Sequence, residues 1–288
     1  MTAATLRVPG ATLYYELRGA GPLLLLLPGG GGDAAVFDPI IEPLAAEFTV
    51  ATLDPRGYSR STLDPDTPRD QRVAVQSDDA YRLITHLTDE PACVFGGSSG
   101  AIVGLDLLAR HPDSVRRLVA HEPPCFAVLD DAERQREFID EVHTLFRTEG
   151  LAAAGARFLA GIGGTLKPMP APADARAAAM LERLSANASI MMEHELRQFT
   201  SHVPDIEALK TVADRLVFAA GEVTGEQLPA RPAAALAARL GLPLTRFPGG
   251  HSFTDAPVAF SQQLLETLSA PTTGGYPDAS VEGVSVGP

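Results

Sequence analysis

The sequence is poor in three features, each of which would have indicated a class of protein: long apolar runs, cysteines and basic residues. No apolar run approaches the ~20 residues needed to cross a bilayer, and no basic stretch precedes the five leucines Leu23–Leu27 as in a signal peptide. We therefore expect no membrane association and a cytoplasmic location.

Cys93 and Cys125 are the only cysteines, and both adjoin apolar segments. Buried free thiols are expected, with a disulfide or a catalytic thiol as the less favoured alternatives.

Acidic residues outnumber basic ones by 36 to 23, which gives a formal net charge of −13. Binding to nucleic acid needs a basic face, so a nucleic-acid partner is excluded and a small-molecule substrate is expected. The sequence shows no metal-ligand spacing and no dinucleotide fingerprint, because the glycines of Pro-Gly-Gly-Gly-Gly at 28–32 are not spaced as that motif requires. No cofactor and no metal are predicted. The oligomeric state stays open, with a homodimer among the alternatives.

Short apolar segments alternate along the chain with amphipathic helical patterns. Several of these segments are almost continuously apolar, as expected for strands that are covered on both faces. The alternation predicts an α/β fold with a doubly wound, mostly parallel, eight-stranded sheet. The predicted strands are 5–8, 11–17, 23–27, 49–53, 92–95, 117–121, 215–219 and 244–247.

One long interval, 126–209, breaks this alternation. It shows helical periodicity and no strand pattern, and a loop rich in glycine and proline at 161–172 divides it. We expect a helical cap at 126–209, inserted after the sixth strand into a core formed by 1–125 and 210–270. The segment 271–288 is small, polar and rich in glycine and proline, which predicts disorder.

The most informative short motif is Gly96-Gly97-Ser98-Ser99-Gly100. It lies between a predicted strand and a predicted helix, and it contains the spacing Gly-x-Ser-x-Gly. In that context the motif predicts a nucleophile elbow, a sharp turn that exposes its serine at a helix N-terminus. The spacing selects Ser98, since Ser99 lacks the leading glycine. A flexible turn rich in small residues is the alternative interpretation.

Around this motif the sequence resembles the α/β-hydrolase family over about residues 5–268. The glycine run after the third strand, the segment Asp-Pro-Arg-Gly-Tyr-Ser-Arg-Ser at 54–61 and the segment Phe-Pro-Gly-Gly-His at 247–251 are similar to that family's loops. Two departures stand out: Pro28 occupies the place of a usual histidine, and Ser59 that of a usual glycine. The interval at 126–209 lies where the family carries its helical cap.

A serine needs a base that accepts its proton during attack, and His251 is the best candidate among the seven histidines. It follows the last core strand on a Gly-Gly loop. His121 is expected to be structural or to support the site, and His194 in the cap either contacts substrate or faces solvent. The resemblance implies that the backbone N–H groups of Ser99 and Gly30 form the oxyanion hole, with Gly31 as another possible donor.

The acid of the triad is the least certain member in the sequence. The common family position after the seventh strand holds Thr224, with Glu222 and Glu226 nearby but out of register. Glu122 follows the sixth strand, whose end adjoins the histidine loop in this family. The resemblance therefore favours a Ser98–His251–Glu122 triad, with Glu222 as the alternative acid.

Together, these residues imply a serine hydrolase that cleaves an ester-type bond, in a carboxylic ester, lactone or thioester, through an acyl-enzyme. Apolar residues of the predicted cap suit a small, largely apolar substrate, although helical spacing also fits core packing. These residues are Phe158, Ile162, Met169, Met191, Met192 and Phe199. Two alternatives remain: a non-hydrolytic enzyme on the same scaffold (an acyltransferase, cyclase or lyase), and a ligand receptor that keeps the fold.

Overall fold

The apolar segments of the sequence assemble into one mostly parallel sheet. The computed structural model describes residues 1–164 and 172–270. The strands are β1 Thr2–Val8, β2 Ala11–Arg18, β3 Leu23–Leu27, β4 Thr49–Leu53, β5 Thr62–Leu63, β6 Ala92–Gly97, β7 Val115–His121, β8 Leu216–Gly221 and β9 Leu244–Phe247. The sheet has the order β1-β2-β4-β3-β6-β7-β8-β9; β1 and β2 run antiparallel to their neighbours, and β3, β4 and β6 to β9 run parallel. The predicted doubly wound sheet is confirmed, and the two-residue β5, which pairs with β2, is a ninth strand that the sequence analysis missed.

Helices cover both faces of this sheet. They are α1 Asp38–Ala45, α2 Val73–Leu87, α3 Ser99–Arg110, α4 Ala132–Glu149, α5 Leu151–Gly161, α6 Ala175–Ile190, α7 Leu196–Thr200, α8 Ile206–Lys210, α9 Arg231–Leu240 and α10 Pro257–Ser269. Helices α1 and α10 pack on one face, and α2, α3 and α9 pack on the other. None of these described helices is long and apolar enough to cross a membrane.

The five leucines of β3 explain why the sheet needs two layers of helices. All five are buried. Leu24 and Leu26 belong to the core on the α1/α10 side, whereas Leu25 and Leu27 belong to the core on the α2/α3 side. Side chains alternate across a strand, so a continuous apolar run can be satisfied only when both faces of the sheet are covered.

Between β7 and β8 the described residues form helices α4 to α8, and α6 continues into a π-helical turn, Met191–Glu195. This interval has a small apolar core of its own around Phe126, Phe138, Val142 and Met192. Its separate behaviour as a cap, and the division of the chain into core and cap, stay predictions. Part of the predicted loop, 165–171, and the predicted disordered tail, 271–288, lie outside the described residues.

Candidate active site

Ser98 lies at a sharp turn between β6 and α3. Its backbone has φ 53° and ψ −122°, a conformation that a residue with a side chain adopts only under strain. The two flanking glycines are required by close backbone approach. A Cβ atom on Gly96 would lie 2.4 Å from the carbonyl oxygen of Gly100, and one on Gly100 would lie 2.2 Å from that of Leu27. The turn therefore has the backbone geometry of a nucleophile elbow, for the reason that the Gly-x-Ser-x-Gly spacing predicts.

Positive φ angles are uncommon at non-glycine residues, because a Cβ atom disfavours them. In the described part of the chain they occur at Ser59, Ser98 and Glu122, with φ between 48° and 53°. Ser59 occupies the position where the sequence departs from the usual glycine, and its backbone keeps the conformation that glycine favours. Asn187 contacts it twice, through a hydrogen bond from Nδ2 to Ser59 Oγ of 2.9 Å and one from Ser59 N to Oδ1 of 3.1 Å. Strain of this kind collects at functional sites.

The glycine loop after β3 lies directly against Ser98. A Cβ atom on Gly29 would be 3.2 Å from the Cβ atom of Ser98. The backbone N–H groups of Gly30 and Ser99 form no hydrogen bond within the described part of the chain, so both are available to an oxyanion. The carbonyl of Gly31 accepts a 2.9 Å hydrogen bond from Asn187 Nδ2, which fixes the outer side of the loop.

The structure brings Glu122 and His251 into direct contact. Glu122 follows β7, and its backbone N–H donates to the Ala219 carbonyl of β8 over 2.9 Å. One carboxylate oxygen, Oε1, accepts a 2.8 Å hydrogen bond from the Gly221 N–H, and the other, Oε2, lies 2.5 Å from His251 Nδ1. Glu122 is fully buried, so both oxygens are held in place. This arrangement can orient an imidazole ring and stabilise its charged form.

Burial and hydrogen bonding act in opposite directions on Glu122. Burial raises the pKa of its carboxyl, but the hydrogen bond and charge of His251, with the Gly221 N–H, bring the pKa below its ordinary value.

His121 precedes Glu122 in the chain. Burial lowers the pKa of His121 to about 4, so its ring is neutral near pH 7. That ring packs among aromatic side chains, Phe95, Phe247 and Phe260, and its Nε2 has no partner among the described residues.

The other candidates lie away from this pair. Glu222 and Glu226 are exposed, and Thr224 is buried. His194 forms a 2.9 Å contact with Asp70 and does not line the cavity above Ser98. Among the described residues, no group of three or more histidine, cysteine, aspartate or glutamate side chains could hold a metal ion.

A cavity of about 740 Å³ opens above Ser98. His121, His251 and the glycine loop form its floor, together with Ser252 and Phe253. Apolar side chains of α6 and the π-helical turn form the opposite wall: Met180, Leu181, Leu184, Ala188 and Met191. Of the apolar residues singled out in the sequence, Met191 lines this cavity, whereas Phe158, Ile162, Met192 and Phe199 pack in cores. Met169 lies outside the described residues.

The loop at 54–61 braces the glycine loop. Asp54 is fully buried; it accepts hydrogen bonds from the Ala34 N–H and from Arg60. Arg56 pairs with the buried Asp79 at 2.5 Å. Tyr58 donates a 2.6 Å hydrogen bond to Glu195. No motif in the sequence marks Glu195 or Asn187 as a site residue. Glu195 could have been noticed as an acidic residue on an apolar helical stripe.

Comparisons with known proteins agree with this fold. A family model described as the α/β-hydrolase fold matches residues 22–162. The uncharacterized hydrolase YraK of Bacillus subtilis (strain 168) is 36% identical over 271 residues, which cover 92% of this chain and 95% of that protein. A zearalenone hydrolase of Bionectria ochroleuca is 35% identical over 143 residues, 46% of this chain and 54% of the relative. The crystal structure of a hydrolase from Pseudomonas aeruginosa PA01 superposes with a TM-score of 0.64 and 25% identity, over 93% of this chain and 98% of the other.

Proposed function

The chain is a hydrolase that belongs to the α/β-hydrolase family, and from that premise we propose that it is a serine hydrolase of small, largely apolar molecules. The bond cleaved is of the ester type: a carboxylic ester, a lactone or a thioester. The observation that carries the proposal is the contact of His251 with the buried Glu122, at the cavity whose floor holds the strained Ser98. An imidazole oriented by a carboxylate beside a serine is the arrangement that activates a weak hydroxyl nucleophile.

In the proposed reaction, Ser98 Oγ attacks the carbonyl carbon while His251 Nε2 accepts the hydroxyl proton. Glu122 holds the Nδ1 proton and stabilises the imidazolium. The backbone N–H groups of Gly30 and Ser99 donate to the developing oxyanion. His251 then gives its proton to the leaving oxygen or sulfur as its bond to the carbonyl carbon breaks. A water molecule, deprotonated by His251, attacks the acyl carbon. The bond to Ser98 Oγ then breaks, and His251 returns the proton to Oγ, which releases the acid and free Ser98.

In the described part of the chain, Ser98 and His251 are not hydrogen-bonded to each other. Such contacts are often long in the free enzyme and tighten when substrate binds. The side chain of His251 is 38% exposed, so water can reach the base. This access favours hydrolysis over the acyltransferase, cyclase or lyase alternatives, which need a pocket poor in water.

The size and lining of the cavity support a compact apolar substrate. About 740 Å³ is within the range of pockets that enclose small organic molecules, and the wall supplied by α6 is apolar. The name of the Bionectria relative identifies zearalenone as its substrate. Since that likeness spans about half of each chain, zearalenone enters as one compound to screen beside simple esters, thioesters and lactones.

The first test measures hydrolysis of p-nitrophenyl acetate and butyrate by the wild type, Ser98→Ala and Ser252→Ala. Ser252 is a matched control, because it is a serine that lines the same cavity. We expect Ser98→Ala to lose at least ~10³-fold in kcat, as in other triads, and Ser252→Ala to stay within about threefold. Turnover that persists in Ser98→Ala would refute the proposed function.

A further inference from the structure

A buried carboxyl group lies behind the proposed oxyanion hole, and the reaction above does not use it. Glu195 ends the π-helical turn after α6 and is 3% exposed. π-Helical turns inside helices are rare and frequently occur at functional sites. The residue does not line the substrate cavity.

The two oxygens of Glu195 have different surroundings. Oε2 accepts a 2.6 Å hydrogen bond from the hydroxyl of Tyr58, which is itself fully buried. Oε1 lies against the glycine loop. A Cβ atom on Gly30 would be 2.7 Å from Oε1 and 3.1 Å from Ser99 Oγ. The Ser99 hydroxyl lies beside the same α-carbon and is close enough to lower the pKa of Glu195, but it is not aligned to form a hydrogen bond with Oε1. An unpaired buried carboxyl oxygen is costly, and a proton on it removes most of that cost.

No cation among the described residues pairs with Glu195. Burial raises the pKa of this carboxyl, and only the hydroxyls of Tyr58 and Ser99 act in the opposite direction. The charged neighbours pair with other residues. From the same turn, Glu193 pairs with Arg147 of α4 at 2.8 Å and lies 3.8 Å from His143, and His194 pairs with Asp70.

We propose that Glu195 is a positioning residue of the oxyanion hole, acting as a neutral carboxylic acid that accepts a hydrogen bond from Tyr58 and donates one to the Ser99 hydroxyl. The proposal rests on the proposed function, since it concerns the same N–H groups. The donated hydrogen bond fixes the first turn of α3, and the side chain supports the Gly30 peptide from behind. A negative charge in this place would oppose the charge that develops on the substrate oxygen, so catalysis requires the protonated form.

The two N–H groups need such support because they come from separate elements. Gly30 lies on a loop without side chains, and Ser99 begins a helix. Asn187 holds one side of the loop through the Gly31 carbonyl, and Glu195 contacts both the loop and the helix. Small displacements of oxyanion donors reduce kcat and leave the binding of the substrate's apolar part unchanged.

The test compares Glu195→Gln, Glu195→Ala and the neighbouring control Glu193→Gln, with p-nitrophenyl butyrate as substrate. Glutamine keeps the shape and hydrogen-bonding pattern of the neutral acid. We expect Glu195→Ala to lose at least ~10-fold in kcat with KM changed less than threefold, and Glu195→Gln to keep at least one third of the wild-type kcat. Equal losses in the two variants, or an alanine variant within threefold of wild type, would overturn the proposal.

The pH profile gives a readout that a purely structural role would not move. In the wild type, kcat should fall as pH rises and Glu195 ionises, and Glu195→Gln should lack this fall. Tyr58→Phe removes a hydrogen bond that favours the carboxylate, so the pKa of Glu195 should rise and the fall should move to higher pH. Superposable profiles for the wild type and Glu195→Gln on the alkaline side of the optimum would refute the neutral acid.

Ser98→Ala separates this inference from the proposed function. Turnover that survives in Ser98→Ala removes the proposed function, whatever the Glu195 variants do. If Ser98→Ala is inactive but Glu195→Ala keeps the wild-type turnover, the proposed function stands and the positioning role of Glu195 is refuted. The rate at which an organophosphonate labels Ser98 provides a second measure, because the phosphonyl oxygen also occupies the oxyanion hole. That rate should be lower in Glu195→Ala and close to wild type in Glu193→Gln.

Discussion

Replacing Glu122 by glutamine changes one atom of the proposed triad and should reverse the tautomer of His251. In the structure, Oε1 of Glu122 accepts a hydrogen bond from the Gly221 N–H, and Oε2 faces His251 Nδ1. A glutamine has one oxygen, and it must face the Gly221 N–H, since an NH₂ group there would oppose another donor. The NH₂ group then faces His251 Nδ1, which must be unprotonated to accept it.

The reversed tautomer places the proton on Nε2, the atom that has to accept the proton of Ser98. Loss of the carboxylate charge also removes the stabilisation of the imidazolium. Such a change in a triad costs ~10²–10⁴-fold in kcat, or about 3–5 kcal/mol of transition-state stabilisation. We therefore expect Glu122→Gln to lose at least ~10²-fold in kcat on p-nitrophenyl butyrate.

Glu222→Gln is the matched control, because it makes the same change at an exposed position. Its kcat should stay within about threefold of wild type. Thermal denaturation of both variants verifies that they are folded at the assay temperature. A Glu122→Gln variant with at least one tenth of the wild-type kcat would refute the reasoning, and a large loss in Glu222→Gln would assign the acid to the loop after β8.

Three further predictions concern stability and motion. Burial lowers the pKa of His121 from 6.5 to about 4, so the free energy of unfolding should fall by up to ~3 kcal/mol as pH drops from 6.5 to 4. In urea unfolding, His121→Phe should lose less stability than the wild type between pH 7 and 4.5, and equal losses in the two proteins would contradict this. Gly100→Ala should lower Tm because its Cβ meets the Leu27 carbonyl, whereas Gly155→Ala, with no atom within 4 Å, should raise it by removing a glycine from α5. Amide hydrogen exchange should be faster in α4 and α5 than in β3 and β6 if 126–209 is a mobile cap, and uniform protection would argue against it.

Much of the fold follows from local patterns in the sequence. An uninterrupted run of five leucines predicts a strand buried on both faces, and glycines two positions before and after Ser98 predict a turn in which the backbone leaves no space for Cβ atoms. Such patterns involve only a few neighbouring residues, so they can be interpreted without knowledge of the tertiary structure. The two-residue β5, which pairs with β2, is too short to show an alternating pattern of its own.

Parts of the site depend on contacts between distant positions. Glu122 and His251 are 129 residues apart, and the sequence could propose their contact only through the order of strands in a resembling family. Tyr58 and Glu195 are 137 residues apart, and no motif links them. The π-helical turn that directs Glu195 inward has no local signature, since it depends on how α6 packs over the glycine loop. An acidic residue within an apolar stripe was the available signal.

The most direct test of the account is the site of covalent labelling by an organophosphonate that mimics an ester. Intact-mass measurement followed by peptide mapping should show one adduct, on the peptide that contains Ser98. The adduct should be absent in Ser98→Ala and retained in Ser252→Ala, which removes another serine of the same cavity. An adduct on a different residue of the wild type, or labelling that persists unchanged in Ser98→Ala, would contradict the assignment of Ser98 as the nucleophile.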